Sequence, residues 1–176
     1  FISFLVRYVI AIGGEEYPIF HDSAEIYDSK SGSWTTTSPM ISRRGSYPAA
    51  GVIGRKVYVA GGCSDGDCYL DSVECFDMDT GAWSEVSSMS EKRAHFSGVV
   101  LEDKKRFVVT GGYRFENDHV RLSSCESFDP DTNSWSKLPN MSASRESHST
   151  VLYRGNVIVL GGTLFGSSLA SCEQFN

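Results

Sequence analysis

Short apolar runs alternate with polar, glycine-bearing segments along all 176 residues, and no segment holds a three-to-four-residue apolar period for three turns. Such a pattern predicts strands and turns without helix. Four of the runs end on a glycine pair: YVIAIGG at 8–14, VYVAGG at 57–62, FVVTGG at 107–112 and VIVLGG at 157–162. Glycine packs no side chain and loses the most backbone entropy, so it weakens a strand. Four strands that end on two of them mark places where the chain turns and a Cβ would collide. The first glycines, Gly13, Gly61, Gly111 and Gly161, are 48, 50 and 50 residues apart, which is an internal repeat.

Other positions keep step with it. Asp28, Asp77 and Asp129 each stand six residues before Trp34, Trp83 and Trp135. Each tryptophan is six before Met40, Met89 and Met141, and each methionine four before Arg44, Arg93 and Arg145. Glu25, Glu74, Glu126 and Glu173 precede Asp28, Asp77, Asp129 and Asn176 by three. In the copy from 44 to 89, SYPAAGVI reads as a first strand, VYVAGG as a second, DSVECFD as a third and AWSEV as a fourth. DMDTGAW, DSKSGSW and DPDTNSW join third to fourth, with Gly81, Gly32 or Asn133 where a tight turn needs positive φ. Four short strands repeated every fifty residues make a β-propeller blade. The small residues of the first strands suit the narrow centre, and the tryptophans and neighbouring Phe or Tyr fill the space between blades.

Paired glycines after a strand, a Glu with an aromatic–Asp pair, the Trp six residues on and the PM or NM segment leading to Arg resemble kelch repeats over essentially the whole chain. The resemblance implies an all-β kelch propeller of four-stranded antiparallel blades. Blade one is expected at 1–38 without its start, blade two at 44–88, blade three at 93–140, and blade four at 145–176 without its outer strand. About three and a half blades, FISFLV at the start and Asn176 in place of Asp fit a piece of a larger propeller.

Charge and cysteine content narrow the function. A net charge of −6 gives no electrostatic reason to expect nucleic acid, and no apolar run is long enough to span a membrane. Cys75, Cys125 and Cys172 are expected as small buried residues of third strands. Cys63 and Cys68 form the one close pair, open to a loop disulfide or a redox role, with free thiols in a reducing cytoplasm or nucleus the expected state. No spacing fits a zinc site, and no cofactor is expected.

Strand order puts the start of each first strand and the end of each second strand on one face. Arg44, Arg93 and Arg145 stand at those starts, with Ser46, Tyr47, His95, Ser147 and His148 beside them. The segments after the glycine pairs bring Tyr17, Asp65, Tyr69, Tyr113, Arg114 and Phe115. From first glycine to Glu these segments run 12, 13, 15 and 12 residues, whereas the Trp–Met–Arg spacings never vary, as binding loops on a fixed scaffold behave. The resemblance to kelch substrate adaptors implies that the arginines and serines hold an acidic peptide segment. It also implies a link to a cullin-type ubiquitin ligase through a BTB or F-box segment outside these residues. An arginine at a repeat's start can equally pair with Glu25, Glu74 or Glu126 as framework. A cytoskeletal, actin-associated role is the alternative among interaction functions. A kelch-type metal oxidase or sugar-modifying enzyme is disfavoured, since the histidines are scattered and no convergent catalytic set recurs.

Overall fold

The described residues of the computed structural model are 8–16, 19–45, 47–64, 68–115 and 118–175, with Cys68 described by its backbone alone. Every regular element among them is a strand. The first repeat holds β1 (Tyr8–Ile12), β2 (Glu15–Glu16), β3 (Ile19–Phe20), β4 (Ala24–Asp28) and β5 (Ser33–Thr36). The second holds β6 (Ala49–Ile53), β7 (Lys56–Ala60), β8 (Cys63–Ser64), β9 (Cys68–Tyr69), β10 (Val73–Asp77) and β11 (Ala82–Val86). The third holds β12 (Ser97–Leu101), β13 (Arg106–Thr110), β14 (Tyr113–Phe115), β15 (His119–Arg121), β16 (Cys125–Asp129) and β17 (Ser134–Leu138). The fourth holds β18 (Ser149–Tyr153), β19 (Asn156–Leu160), β20 (Thr163–Leu164), β21 (Ser167–Ser168) and β22 (Cys172–Phe175).

Two sheets are complete antiparallel blades, β6-β7-β10-β11 and β12-β13-β16-β17. They are flanked by the three-stranded sheets β1-β4-β5 and β18-β19-β22. Each glycine pair leads into a small hairpin: β2–β3, β8–β9, β14–β15 and β20–β21. The strands β6, β12 and β18 lie side by side and are the innermost of their blades. Their small residues are required there. A Cβ on Gly51 would come within 2.6 Å of Val100, and one on Gly98 within 2.8 Å of Phe107.

Burial explains the apolar patterning. In β7 and β10 nearly every residue is buried, because neighbouring blades cover both faces; β7 reads accordingly as the apolar run VYVA after Lys56, while β10 carries the buried Glu74 among its apolar residues. In β1 and β19 exposure alternates, as expected where one face is covered. The core lies between blades. Tyr58, Cys75, Met89, Phe96, Phe107 and Phe128 join the second and third. Met40, Val57, Val59 and Phe76 join the first and second, and Cys125, Met141 and Val159 the third and fourth. Burying a side chain such as Phe107 or Phe128 contributes about 1.5–3 kcal/mol each. Each tryptophan stacks on the aromatic of its own third strand, Phe76 with Trp83 and Phe128 with Trp135, both at 5.1 Å. Trp83 and Trp135 then donate their indole N–H to the preceding repeat, at Ser38 O (2.9 Å) and Ser87 O (2.8 Å).

The cysteines divide. Cys75 and Cys125 are buried, and burial pushes the Cys125 thiol up to about 11 and the Cys75 thiol up as well. Cys172, expected to be buried, is exposed: among the described residues no strand pairs with the outer edge of β22. The Cys68 side chain lies outside the described residues, and with it the question of a Cys63–Cys68 pair; so do FISFLV and Asn176.

Candidate functional site

The glycine pairs are the seams between blades. The first glycine of each takes φ near +60°. A Cβ there would lie 2.6 Å from Arg93 O at Gly61, and 2.6 Å from Arg145 O at Gly111. The second glycine donates its N–H to the same carbonyls: Gly62 to Arg93 O at 2.8 Å, Gly112 to Arg145 O at 2.7 Å, and Gly14 to Arg44 O at 3.0 Å. The arginine that leads into each blade therefore crosses the glycines of the blade before. Its side chain reaches the glycines of its own blade. Arg44 donates to Gly61 O, Arg93 to Gly111 O and Arg145 to Gly161 O, each at 2.8 Å.

The rest of each guanidinium, Arg93 Nε excepted, is consumed nearby. Arg44 pairs with Glu74 at 2.8 Å, Arg93 with Glu126 at 2.9 Å and Arg145 with Glu173 at 2.9 Å. They also bond Ser72, Ser124 and Ser171 in turn. Glu74 accepts the N–H groups of Ile41 and Ser42, so each pair fastens the preceding linker as well. All three arginines are 0% exposed. The expectation that they grip an acidic peptide is corrected: the guanidinium groups are buried, and all their donors but Arg93 Nε are spent on framework carbonyls, serine hydroxyls and carboxylates. His148 is corrected too. It is buried, its Nε2 is 2.8 Å from Thr110 Oγ1, and it occupies the place Phe96 has in the third blade. Burial, and secondarily the Arg145 charge, lowers its pKa to about 4.

What the lead-ins do present to solvent are Tyr47, His95 and Ser147. Each stands two residues before an inner strand, β6, β12 or β18, and each has left-handed φ: 58°, 51° and 53°. A non-glycine residue in that region is uncommon, and three at equivalent places mark a built feature. They are neighbours in space. The Tyr47 and His95 rings are 4.7 Å apart, and His95 Nδ1 is 3.3 Å from Ser147 Oγ. The hairpins extend the row. Ala94 bridges Tyr113, whose ring is 5.0 Å from His95 and 5.4 Å from Tyr69. Tyr113 and Phe115, on one side of β14, both meet His119 across the hairpin, at 5.7 and 5.1 Å. Arg114, between them on β14, is half-buried and points to the other side of that strand.

Beside this row is a concavity of about 290 Å³, lined by His95, Tyr113, His119, Arg121, Glu146, Ser147 and Thr163. Arg121 donates to Glu146 at 3.1 Å and lies over the Phe165 ring at 4.6 Å. Burial lowers the His95 pKa, opposed by the carboxylates of Glu146 and Glu15. Of the residues expected at the site, Tyr47, His95, Ser147, Tyr69, Tyr113 and Phe115 come together. Tyr17, Ser46 and Asp65 lie outside the described residues. His119, Arg121, Glu146 and Thr163 are brought to the same place. His119 and Arg121 alternate on β15, and that period was the available signal.

A family model described as the KLHDC2/KLHL20/DRC7 Kelch-repeats domain matches residues 6–162. The F-box/kelch-repeat protein At2g44130 of Arabidopsis thaliana is 33% identical over 135 residues, which make up 76% of this chain and 33% of that protein. The solved structure of YjhT aligns with a TM-score of 0.74 at 14% identity, over 87% of this chain and 49% of that one. The fold and the repeated Arg–Glu seams are those of a β-propeller with four-stranded antiparallel blades. The chain belongs to the kelch-repeat family. It spans 33% of the length of the Arabidopsis relative.

Proposed function

We propose that this chain is a non-catalytic protein-recognition module whose binding face is the row Tyr47–His95–Ser147 with the hairpin aromatics Tyr69, Tyr113 and Phe115. The observation that carries the reading is the repetition of left-handed φ, at 58°, 51° and 53°, on three successive lead-ins whose side chains stay on the surface while the arginines behind them are locked. A rigid seam that aims aromatic and hydrogen-bonding groups outward is what a recognition surface requires. Similarity to an F-box/kelch-repeat protein supports the finer reading, a substrate-recruiting part of a ubiquitin-ligase adaptor.

The test is quantitative affinity purification of the full-length protein beside a Tyr47→Asn, His95→Asn double variant. Asparagine tolerates left-handed φ, so the lead-in keeps its path while the rings are lost. Specific partners should disappear from the variant while ligase subunits remain in both samples. Identical partner sets would overturn the assignment of the face, and absence of ligase subunits from both would overturn the adaptor reading.

A further inference from the structure

We infer that the β1-β4-β5 sheet binds the arginine of a Met-x-x-x-Arg segment of the full-length chain outside residues 1–176, through Gly13, Ser23 and Glu25. This site does not depend on the aromatic row.

The three lead-in arginines are received by one repeated set of acceptors. Arg44 donates to the carbonyls of Gly61 and Ser72, to the Ser72 hydroxyl and to Glu74. Arg93 does the same at Gly111, Ser124 and Glu126, and Arg145 at Gly161, Ser171 and Glu173. Gly13, Ser23 and Glu25 are that set in the first sheet, and the strand register puts them in the same places. Glu25 stands opposite Ala11 as Glu74 stands opposite Val59. Gly13 donates to Ser23 O at 2.9 Å as Gly61 donates to Ser72 O at 3.1 Å. Yet Glu25 is exposed where Glu74 and Glu126 are buried, and among the described residues no cation pairs with it. Two carbonyls, a hydroxyl and a carboxylate so arranged match the planar fork of donors that arginine has and lysine lacks.

The surroundings fit the rest of the segment. Glu74 also accepts the N–H groups of Ile41 and Ser42, while Glu126 and Glu173 accept those of Ser90 and Ser142. Each carboxylate thus takes the main chain between a methionine and its arginine. Met40 packs in one cluster with Val57, Val59 and Phe76. Val57 pairs with Phe76 as Val9 pairs with Tyr27, but Val57 is 1% exposed and Val9 50%. A methionine four residues before the bound arginine covers Val9 as Met40 covers Val57. Trp83 and Trp135 donate to the carbonyls of Ser38 and Ser87, each two residues before a methionine. Trp34, opposite Tyr27 as Trp83 is opposite Phe76, has the same donor in place for the carbonyl two residues before the segment's methionine.

The experiment labels the carboxylates of the full-length protein with a carbodiimide and glycine ethyl ester and reads each site by mass spectrometry. Glu25 should resist labelling as Glu74 and Glu126 do, while the exposed Glu16 reacts. Each arginine that stands four residues after a methionine outside residues 1–176 is then changed to alanine. One such variant should open Glu25 to the reagent while Glu126 stays protected, which separates loss of this contact from unfolding. The protection should not change on dilution. Protection lost on dilution would move the arginine to a second copy and overturn the assignment to the same chain. Glu25 labelled as fast as Glu16, or no arginine whose replacement opens it, would overturn the inference.

Discussion

His148 and Phe96 occupy the same place in successive repeats, and the difference between them has a measurable consequence. Phe96 fills the space against Gly61; His148 does so against Gly111 and hydrogen-bonds Thr110. The native state holds the imidazole neutral, with a pKa of about 4, first by burial and then by the Arg145 charge. An unfolded histidine titrates near about 6.5, so below that pH the unfolded state binds the proton the native state refuses. Stability is unaffected above about pH 6.5 and falls as pH drops toward 4, by about 2 kcal/mol between pH 7 and 5. In the His148→Phe variant that part of the slope should vanish in urea titrations at the two pH values. A smaller slope should persist from His95, whose pKa burial also lowers. An unaltered slope would show that His148 is not the titrating group. From sequence, His148 was read as a surface ligand because it follows a lead-in arginine. Whether a residue at a strand's start points outward or into a seam depends on the chain crossing behind it. The Phe96 equivalence was the sequence-level hint that this position is interior.

The seams show the same limit at the level of elements. Fixed spacing from Trp to Met to Arg, and a Glu in every third strand, made the framework legible. It left the partner of each arginine open among several glutamates. The fold chooses Glu74, Glu126 and Glu173, each on the third strand of the blade the arginine leads into. Removing one member of a buried pair strands its partner's charge, which costs about 3–5 kcal/mol. Arg93→Ala should therefore lower the unfolding free energy measured by urea titration by an amount in that range, because Glu126 is almost fully buried. Arg145→Ala should cost less, since the Glu173 side chain is 16% exposed and water can screen it. Equal losses would mean that the carbonyl bonds to Gly111 and Gly161, common to both, dominate instead.

Over the whole molecule, the four repeats were legible from the glycine pairs because a propeller blade is a local structure with local signals. The aromatic row was only partly so, because its rings come from two repeats, with Ser147 added from a third, and they meet through contacts that no single repeat encodes. The same quasi-linear architecture predicts how stability is distributed. In a repeat array each unit gains most from its neighbours. The second and third blades have neighbours on both sides and share the largest core cluster. The first and fourth sheets leave apolar side chains at their open flanks: Val9 and Trp34 on one, Val151, Tyr153 and Leu160 on the other. Trp34 makes the point most directly. It stacks on Tyr27 as Trp83 stacks on Phe76, yet it stays half exposed where Trp83 donates to a preceding repeat. Residues 1–176 alone should show amide exchange slowest in β7, β10, β13 and β16, intermediate in β19, and fastest in β1, β4 and β22. Protection that is uniform across all four repeats would show that the flanks are covered in solution, joining the outer sheets to the same cooperative unit as the inner pair.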